Sequence, residues 1–370
     1  MMKVAYFIGS LNRGGTETLV LDTFRKKGLA NYEPILIYRN EGDLSEAYRA
    51  TGVPMFRIKP AGSTLGYIQS LRYLLKKECV DILHTQTLLN GLLGLFCTCG
   101  SKVKLISTFH GFFPSFKDRV FAHFVMWFAR ASVFVSEYER DWYVRRTLLV
   151  PKKRCHVVYN GIDFSKFDEP CEPPDFLKIT CPEDKEIVKM AMVGNFVSGR
   201  SQSFLCIALK QLVDAGRSDF RFYFVGKRVA AEPYLYDDCV EYCRDAGLLD
   251  KQVFFLGGRG DVPAILQHVD IFVYSSHNDT FGIAVVEAMA AGLPVVVNDW
   301  VVMREITDNG KLAVIYKTED GDDFVAKMSE VMLNLKEHKQ KAIDSAASIR
   351  QRYSIATHIR DLGELYSNSV

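Results

Sequence analysis

The chain has 370 residues, of which 48% are hydrophobic and 24% charged, and its formal net charge is +2. This length favours two domains, since a single core seldom grows beyond about 250–300 residues. The near-neutral charge argues against a nucleic-acid-binding protein. Nine cysteines are scattered without a repeating framework, and no apolar run is long enough to cross a bilayer. We therefore expect a two-domain protein of the reducing cytoplasm.

Short apolar segments alternate with helical or polar stretches along the N-terminal half, which is the pattern of a doubly wound α/β sheet. The first segment, Lys3–Ile8, is followed by a glycine-rich turn at Gly14 and Gly15 and a predicted helix from Thr18. The turn lacks the spacing of a dinucleotide-binding fingerprint. A ligand-binding loop and a plain tight turn both remain open here. The other predicted strands of this half are 34–38, 55–58, 81–84, 104–108 and 132–136.

Two histidines end predicted strands. His84 ends the strand that begins at Asp81, and His110 follows the next strand and precedes Gly111. Ligands of open α/β folds bind at the carboxyl ends of strands. We therefore take His110 as a candidate functional residue, whereas a hydrogen-bonded structural histidine is the favoured interpretation of His84.

The segment Phe112–Arg130 interleaves aromatic residues with basic ones. Aromatic rings beside cations suit the interface of a bilayer with anionic lipids. A helix packed within its own domain, with its charges in solvent, explains the same pattern. Both interpretations stay open at this point.

The C-terminal half contains the most informative stretch, Ser275–Val297. It follows a buried strand at Ile271–Tyr274 and predicts a turn, a helix closed by Gly292, and a further strand. A right-handed crossover places the start of that helix at the carboxyl edge of the sheet. The amides of Phe281, Gly282 and Ile283 would then form an anion site, bracketed by the carboxylates of Asp279 and Glu287.

This stretch resembles the Glu-x7-Glu region and the following "EAMAxGxPV" helix of the retaining glycosyltransferases of family 4. Asp279 stands at the family's first Glu and Glu287 at its second. The resemblance extends to a "GGxE"-like loop at Gly14 and Gly15, a "T-x-H" at His110, and a "PNGVD"-like segment around Asn160. It implies the GT-B fold, in which two Rossmann-like doubly wound domains face each other across a cleft.

Domain bounds and donor-binding residues follow from the same resemblance. We expect an acceptor-side domain at 1–165, joined by a C-terminal helix at about 356–370, and a nucleotide-sugar domain at 166–355. Independently of the resemblance, the segment from Phe164 to Glu186 is rich in Pro, Asp and Glu, a composition that fits a linker. The family's "GRLxxxKG" loop corresponds to Gly194–Arg200. Asn195 replaces its Arg and Arg200 replaces its Lys, so one positive charge remains for the diphosphate. Arg259 is a candidate for contact with the base or a plain surface residue.

The function implied is transfer of a sugar from a nucleotide-diphosphate donor to a glycan or lipid-linked acceptor, with retention and without a cofactor or metal. Asp279 and His110 are the expected catalytic residues. The location implied is the cytoplasm, at the inner face of the cell membrane if Phe112–Arg130 contacts lipid. An Asp-x-Asp triplet, as in metal-dependent enzymes, occurs at Asp320–Asp322, where we expect it to cap a helix.

Three alternatives remain. A nucleotide-sugar 2-epimerase shares the two-domain build but is not expected to carry the Glu-x7-Glu block. A Rossmann dehydrogenase needs a glycine fingerprint that the sequence lacks. A catalytically silent partner subunit would keep the fold, and the departures at Asn195 and Asp279 are consistent with it. The sugar, base and acceptor cannot be derived from the sequence.

Overall fold

The computed structural model describes residues 1–59, 63–113, 115–177 and 187–370. Two compact units make up the chain: Met1–Asp163 with Tyr353–Val370, and Phe164–Arg352. Each contains one parallel sheet with helices on both faces, so both strand sets are apolar and buried. The predicted fold class of two Rossmann-like α/β domains is confirmed.

The first unit contains a seven-stranded sheet in the order β3-β2-β1-β4-β5-β6-β7. Its strands are β1 Met2–Phe7, β2 Tyr32–Tyr38, β3 Met55–Arg57, β4 Ile82–Thr85, β5 Lys104–Phe109, β6 Ala131–Phe134 and β7 Cys155–Val157. Its helices are α1 Gly15–Arg25, α2 Ser45–Arg49, α3 Thr64–Lys77, α4 Leu88–Thr98, α5 Phe116–Phe128 and α6 Glu137–Arg146.

The second unit contains a six-stranded sheet in the order β10-β9-β8-β11-β12-β13. Its strands are β8 Val188–Val193, β9 Phe220–Val225, β10 Val253–Phe255, β11 Ile271–Tyr274, β12 Val295–Asn298 and β13 Val314–Tyr316. Its helices are α7 Gln202–Asp214, α8 Tyr234–Asp245, α9 Val262–His268, α10 Ile283–Ala290, α11 Val301–Ile306, α12 Gly321–Leu333 and α13 Leu335–Tyr353. The last helix, α14 Ile355–Ser367, belongs to the first unit.

Alternate residues of β1 supply two separate cores, because successive side chains of a strand point to opposite faces. Val4 and Tyr6 lie in a cluster that includes Leu362 and Tyr366 of α14. Ala5 and Phe7 lie in the cluster on the other face, which also includes buried residues of α3, α4 and α5. The C-terminal helix thus completes the core of the first unit.

A chain of buried polar side chains ties α14 to the strands. The Tyr366 hydroxyl donates to that of Tyr6 at 3.1 Å and lies 2.5 Å from His84 Nδ1, and His84 Nε2 lies 2.6 Å from the Thr108 hydroxyl. In this arrangement His84 donates to Tyr366 and accepts from Thr108. Burial lowers the pKa of His84 to about 3, and His110 and His358 add to the effect, so the ring is neutral at physiological pH. His84 is a core residue.

Several element bounds differ from those predicted. Helix α1 begins at Gly15, three residues before Thr18. The short edge strands β7 and β13 were not predicted. The segment predicted from Phe164 as a linker packs on the second unit in its described part: Phe164, Phe167 and Leu177 are buried, and Gln267 donates to the Phe167 carbonyl. The remainder of that segment, 178–186, lies outside the described residues.

Removing the Tyr366 hydroxyl tests the buried polar chain. In Tyr366→Phe the Nδ1–H of His84 loses its acceptor in a buried site, which we expect to lower the free energy of unfolding by about 1–3 kcal/mol. Urea unfolding followed by circular dichroism measures the change. Tyr73→Phe is the control, because Tyr73 is 69% exposed. Equal unfolding midpoints for the two variants would contradict the assignment.

Candidate active site

The site in the second unit lies where the strand order reverses. β8 and β11 are neighbours in the sheet, and their chains leave in opposite directions, which opens a crevice at the carboxyl edge. The two loops that follow these strands are held together by backbone bonds: Ser201 N donates to Ser275 O at 3.1 Å, and His277 N donates to Gly199 O at 2.9 Å. The residues predicted at 194–200 and 275–283 are therefore neighbours.

Arg200 lies in this crevice with an incomplete set of hydrogen-bond partners. Its Nη1 donates to the Asn195 carbonyl at 3.3 Å, and its guanidinium lies over the Tyr274 ring, 5.9 Å from the centroid. Its buried Nε has no hydrogen-bond partner in the structure. A Cβ on Gly194 would come within 2.4 Å of Arg200 Nη1, so the guanidinium position requires glycine there. A half-buried cation with an unused donor suits an anionic ligand.

Asp279 is oriented by a buried tyrosine. The Tyr274 hydroxyl donates to Asp279 Oδ2, and Trp300 Nε1 donates to the Asp279 carbonyl at 2.9 Å. Burial raises the pKa of Tyr274 well above its ordinary value, and the Asp279 carboxylate adds to this effect. The hydroxyl therefore stays protonated as a donor to the Asp279 side chain, which lies in the same site as Arg200.

Helix α10 begins at Ile283, the start that the predicted anion site requires. Gly282 precedes it with φ +82°, a left-handed conformation that strains other residues, and a Cβ there would also lie 2.9 Å from Met303 Cε. Val285 and Val286 donate to the Gly282 carbonyl, so the helix ladder starts with them and leaves the Ile283 amide outside it. Phe281 has a buried side chain, and Glu287 is half-buried one turn into the helix.

Two predicted donor-binding residues have local structural partners. Asn195 Oδ1 accepts from the Lys227 amide at 3.0 Å, so this side chain ties the loop after β8 to the loop after β9. Arg259 pairs with Asp261 through Nε and Nη2, at 2.8 and 2.6 Å, and lies over the Phe176 ring. Asp261 is the N-cap residue of α9, but its carboxylate accepts from Arg259 and makes no side-chain cap hydrogen bond.

In the first unit His110 follows β5 and lies beside Gln86, which follows β4. His110 Nε2 donates to Gln86 Oε1 at 2.9 Å. Burial lowers the pKa of His110 to about 3, with His358 contributing, so the imidazole is neutral and Nδ1 is its acceptor nitrogen. His84, His110 and His358 line a cavity of about 10 Å³. A water needs about 10–15 Å³, so this cavity does not hold a substrate.

Gly14 and Gly15 lie at the start of α1, at the carboxyl edge of the same sheet. Gly14 is the N-cap with φ −146°, an extended conformation that any residue adopts, and Gly15 is the first helical residue. A Cβ on Gly14 would come within 2.4 Å of Glu17 Oε2. A larger residue at Gly14 would therefore displace the end of the Glu17 side chain, and the ligand-binding role of this loop stays a prediction.

The segment Phe112–Arg130, described apart from Pro114, combines a packed face with an exposed one. Phe112 packs on Tyr138 and Trp142, with ring centroids 5.7 and 5.2 Å away. Phe113 and Phe121 pack against the core, whereas Phe116, Phe124 and Phe128 are exposed. The rings nearest Gly111 are therefore structural.

Three polar residues that the sequence did not single out lie beside the candidate residues of their own units. Gln86 in the first unit, and Tyr274 and Asn298 in the second, each lie at or directly after the carboxyl end of a buried strand. Asn298 Oδ1 accepts a hydrogen bond from the Ser276 amide at 3.1 Å, and Asn298 Nδ2 donates to the Ser276 carbonyl at 2.8 Å. The rule that selected His110, a polar side chain where a buried strand ends, also selects these three.

The cysteines and the Asp320–Asp322 triplet contain residue types that ligate metals. Within the described residues no group of three or more His, Cys, Asp or Glu is arranged to hold a metal ion. Cys97, Cys239 and Cys243 are buried thiols. The Asp320 carboxylate accepts from the Asp323 amide at 2.9 Å, which is the predicted helix cap.

Comparisons with known proteins agree with this geometry. Residues 177–348 match the family model "Glycosyl transferases group 1", and residues 13–166 match "Glycosyltransferase Family 4". An Escherichia coli UDP-Gal:alpha-D-GlcNAc-diphosphoundecaprenol alpha-1,3-galactosyltransferase is 24% identical over 333 residues, which is 86% of this chain and 84% of that protein. A Campylobacter jejuni N,N'-diacetylbacillosaminyl-diphospho-undecaprenol alpha-1,3-N-acetylgalactosaminyltransferase is 35% identical over 207 residues, or 55% of this chain and 51% of that one.

Solved structures show the same fold over the whole chain. HepE of Anabaena, solved with UDP and glucose, superposes with a TM-score of 0.85 at 17% identity and covers 100% of both chains. A glycosyltransferase from Rickettsia africae superposes with a TM-score of 0.86 at 18% identity, covering 100% of this chain and 98% of that one. Together the two family models account for most of the chain, so this protein belongs to the group 1, family 4-like glycosyltransferases.

Proposed function

We propose that this enzyme transfers a sugar from a nucleotide-diphosphate donor to a lipid-linked glycan acceptor, with retention and without a metal. Two observations support the donor and acceptor classes. HepE of Anabaena has been solved with UDP-glucose, and the printed names of the Escherichia coli and Campylobacter jejuni relatives describe diphosphoundecaprenol-linked acceptors.

The observation that carries the proposal is the position of Arg200. Its guanidinium lies at the switch point of the sheet with Nε unpartnered, and the same loop segment that holds Asp279 leads into α10. A diphosphate placed there would receive a charge-assisted bond from Arg200 and bonds from the first amides of α10. The proposed leaving group is therefore bound by donors that stand in place before the reaction.

The reaction requires stabilisation of two opposite charges. As the glycosidic bond breaks, negative charge grows on the distal phosphate, and Arg200 and the α10 amides oppose it. The anomeric carbon becomes oxocarbenium-like. Asp279 would lie near this carbon as a carboxylate held by Tyr274. We propose same-face attack, in which the departing phosphate helps to deprotonate the acceptor hydroxyl, so that the configuration is retained.

The remaining site residues have binding roles in this proposal. Glu287 would accept hydrogen bonds from ribose hydroxyls, and the neutral imidazole of His110 would bond a sugar hydroxyl. Gly14 and Gly15 would let backbone amides at the start of α1 approach the donor. Asn195 and Arg259 would act mainly by shaping their loops, because their side chains are already engaged.

A silent partner subunit is the alternative that the site itself keeps open. Asp279 is one methylene shorter than the family's Glu, and Asn195 carries no charge. The structure gives each residue a fixed partner, Tyr274 for Asp279 and Lys227 for Asn195, which favours a working site with altered details. Donor hydrolysis or transfer separates the two functions. Membership of the glycosyltransferase family disfavours the epimerase and the dehydrogenase.

Peripheral attachment to the inner face of the cytoplasmic membrane is part of the proposal, because a lipid-linked acceptor resides there. No helix in the described part of the chain has the length and apolar composition of a bilayer span. The exposed rings of α5 at Phe124 and Phe128 offer a contact surface.

Replacing Arg200 tests the diphosphate site. Nucleotide-sugars are first screened by thermal shift, since a ligand that binds the native state raises its melting temperature. We expect Arg200→Ala to weaken the binding free energy of the selected donor by about 2 kcal/mol or more, because a charge-assisted contact is lost. Titration calorimetry measures the affinity. Arg244→Ala, an exposed arginine of α8, is the control. Unchanged donor affinity in Arg200→Ala would exclude the phosphate role.

Replacing Glu287 tests the ribose contact. In Glu287→Ala the dissociation constant of the whole nucleotide should rise by about tenfold, the equivalent of a hydrogen bond to a charged group. Pyrophosphate, which has no ribose, should bind almost as well as to the wild type. Calorimetry with both ligands on the same protein gives the comparison. A parallel loss for pyrophosphate would place Glu287 at the phosphates or in the scaffold.

Chelation tests the metal independence. Arg200 and the α10 amides already supply positive potential at the proposed phosphate position, and the Asp320 carboxylate is engaged as a helix cap. Sugar transfer in EDTA should therefore proceed at nearly the rate measured with magnesium. Loss of transfer in EDTA, restored by added metal, would overturn this mechanism and reopen the Asp320–Asp322 turn as a site.

A further inference from the structure

An apolar groove of about 730 Å³ runs between α4 and α5 of the first unit. Leu95 and Phe96 line it from α4, and Phe124 and Phe128 line it from α5. Phe96 is 56% exposed and Phe128 is 66% exposed. Contiguous exposed apolar surface of this kind marks an interaction site, and the volume falls within the ~300–1,000 Å³ of pockets that enclose small ligands.

One end of the groove is basic. Lys104 begins β5, Arg130 directly precedes β6, and Arg154 directly precedes β7, so all three lie at the amino edge of the sheet. Arg130 donates to the Ser369 carbonyl at 2.9 Å and Arg154 to the Trp127 carbonyl at 3.3 Å. These acceptors are neutral, and none of the described residues that line the groove is Asp or Glu. The positive charge is therefore available to a ligand.

An apolar channel that ends at three cations is complementary to an anionic lipid, with the chain between the helices and the phosphate at the basic end. The lipid-linked acceptor of the proposed transfer reaction does not fit this groove, because its reacting sugar would lie too far from His110. β5 has six residues, so Lys104 lies about 20 Å along the strand from His110. A headgroup held by Lys104 is thus at the edge of the sheet opposite to His110.

We propose that the α4–α5 groove binds one acyl chain of an anionic bilayer phospholipid, with Lys104, Arg130 and Arg154 on its phosphate. Binding here anchors the first unit on the membrane independently of donor and acceptor. It deepens the peripheral attachment stated above and assigns it to the face shared by α4 and α5. Phe112 and Phe113, which pack inside the unit, take no part.

The test uses the full chain and dioctanoyl phosphatidylglycerol below its micelle concentration, measured by calorimetry. Saturable one-to-one binding is expected. The double change Phe96→Asp with Phe128→Asp should weaken it about tenfold or more, because carboxylates then line the path of the chain and repel the phosphate. Tyr73→Asp, on the exposed face of α3, adds the same charge outside the groove and should leave binding unchanged.

A second pair of variants keeps the test decisive if the double variant does not fold. Lys104→Gln should weaken binding about fivefold, whereas Lys102→Gln, an exposed residue that does not line the groove, should not. Sedimentation with phosphatidylcholine vesicles, with and without phosphatidylglycerol, should follow the same order. Arg200→Ala should bind lipid normally, so failure of the proposed transfer reaction leaves this result interpretable.

Three outcomes would overturn the proposal. The first is the absence of saturable binding of dioctanoyl phosphatidylglycerol. The second is equal loss in Lys104→Gln and Lys102→Gln. The third is binding of farnesyl diphosphate, used as a short polyprenyl diphosphate, with no binding of the phospholipid, which would assign the groove to the acceptor.

Discussion

A parallel sheet covered by helices on both faces leaves only its edges for polar chemistry, and this constraint organises the whole protein. Each strand is buried on both sides, so a polar side chain within it must find an internal partner, as His84 does with Tyr366 and Thr108. A polar side chain at the carboxyl edge, in contrast, can bind a ligand. The sheet of the first unit and that of the second both reverse their strand order, which opens this edge at a defined place.

The site in the second unit illustrates how burial and function are combined. Tyr274 is buried, and burial keeps its hydroxyl protonated, so it acts as a permanent donor to Asp279. Its ring also lies under Arg200. One side chain thus positions both the carboxylate and the cation of the site. The left-handed backbone at Gly282 adds a place that favours glycine, and a Cβ at Gly194 would displace the Arg200 guanidinium.

The first unit presents different surfaces at the two edges of one sheet. Its carboxyl edge carries neutral polar groups, His110 and Gln86, joined by a hydrogen bond. Its amino edge carries cations at the end of an apolar groove. This division is physically consistent, because a glycan is recognised by hydrogen bonds whereas a bilayer is recognised by apolar area and positive charge. In the proposed function, this division would keep attachment to the membrane at the amino edge and away from His110 at the carboxyl edge.

The sequence by itself determined the order of strands and helices, the two-unit build and the loops that carry the site. These follow from local patterns: apolar runs of strand length, Gly292 closing a helix, and Asp320 capping another. It did not determine the three-residue edge strands β7 and β13, whose short runs carry too little periodicity to stand out.

Only the tertiary structure decided which partner each side chain takes. Arg259 with Asp261, Asn195 with Lys227, and Phe112 with Trp142 are examples. The groove between α4 and α5 belongs to the same category, because it combines residues of two helices with cations that precede three strands. Such contacts join segments that are far apart in the sequence. A local sequence pattern does not specify which distant segments pack against each other.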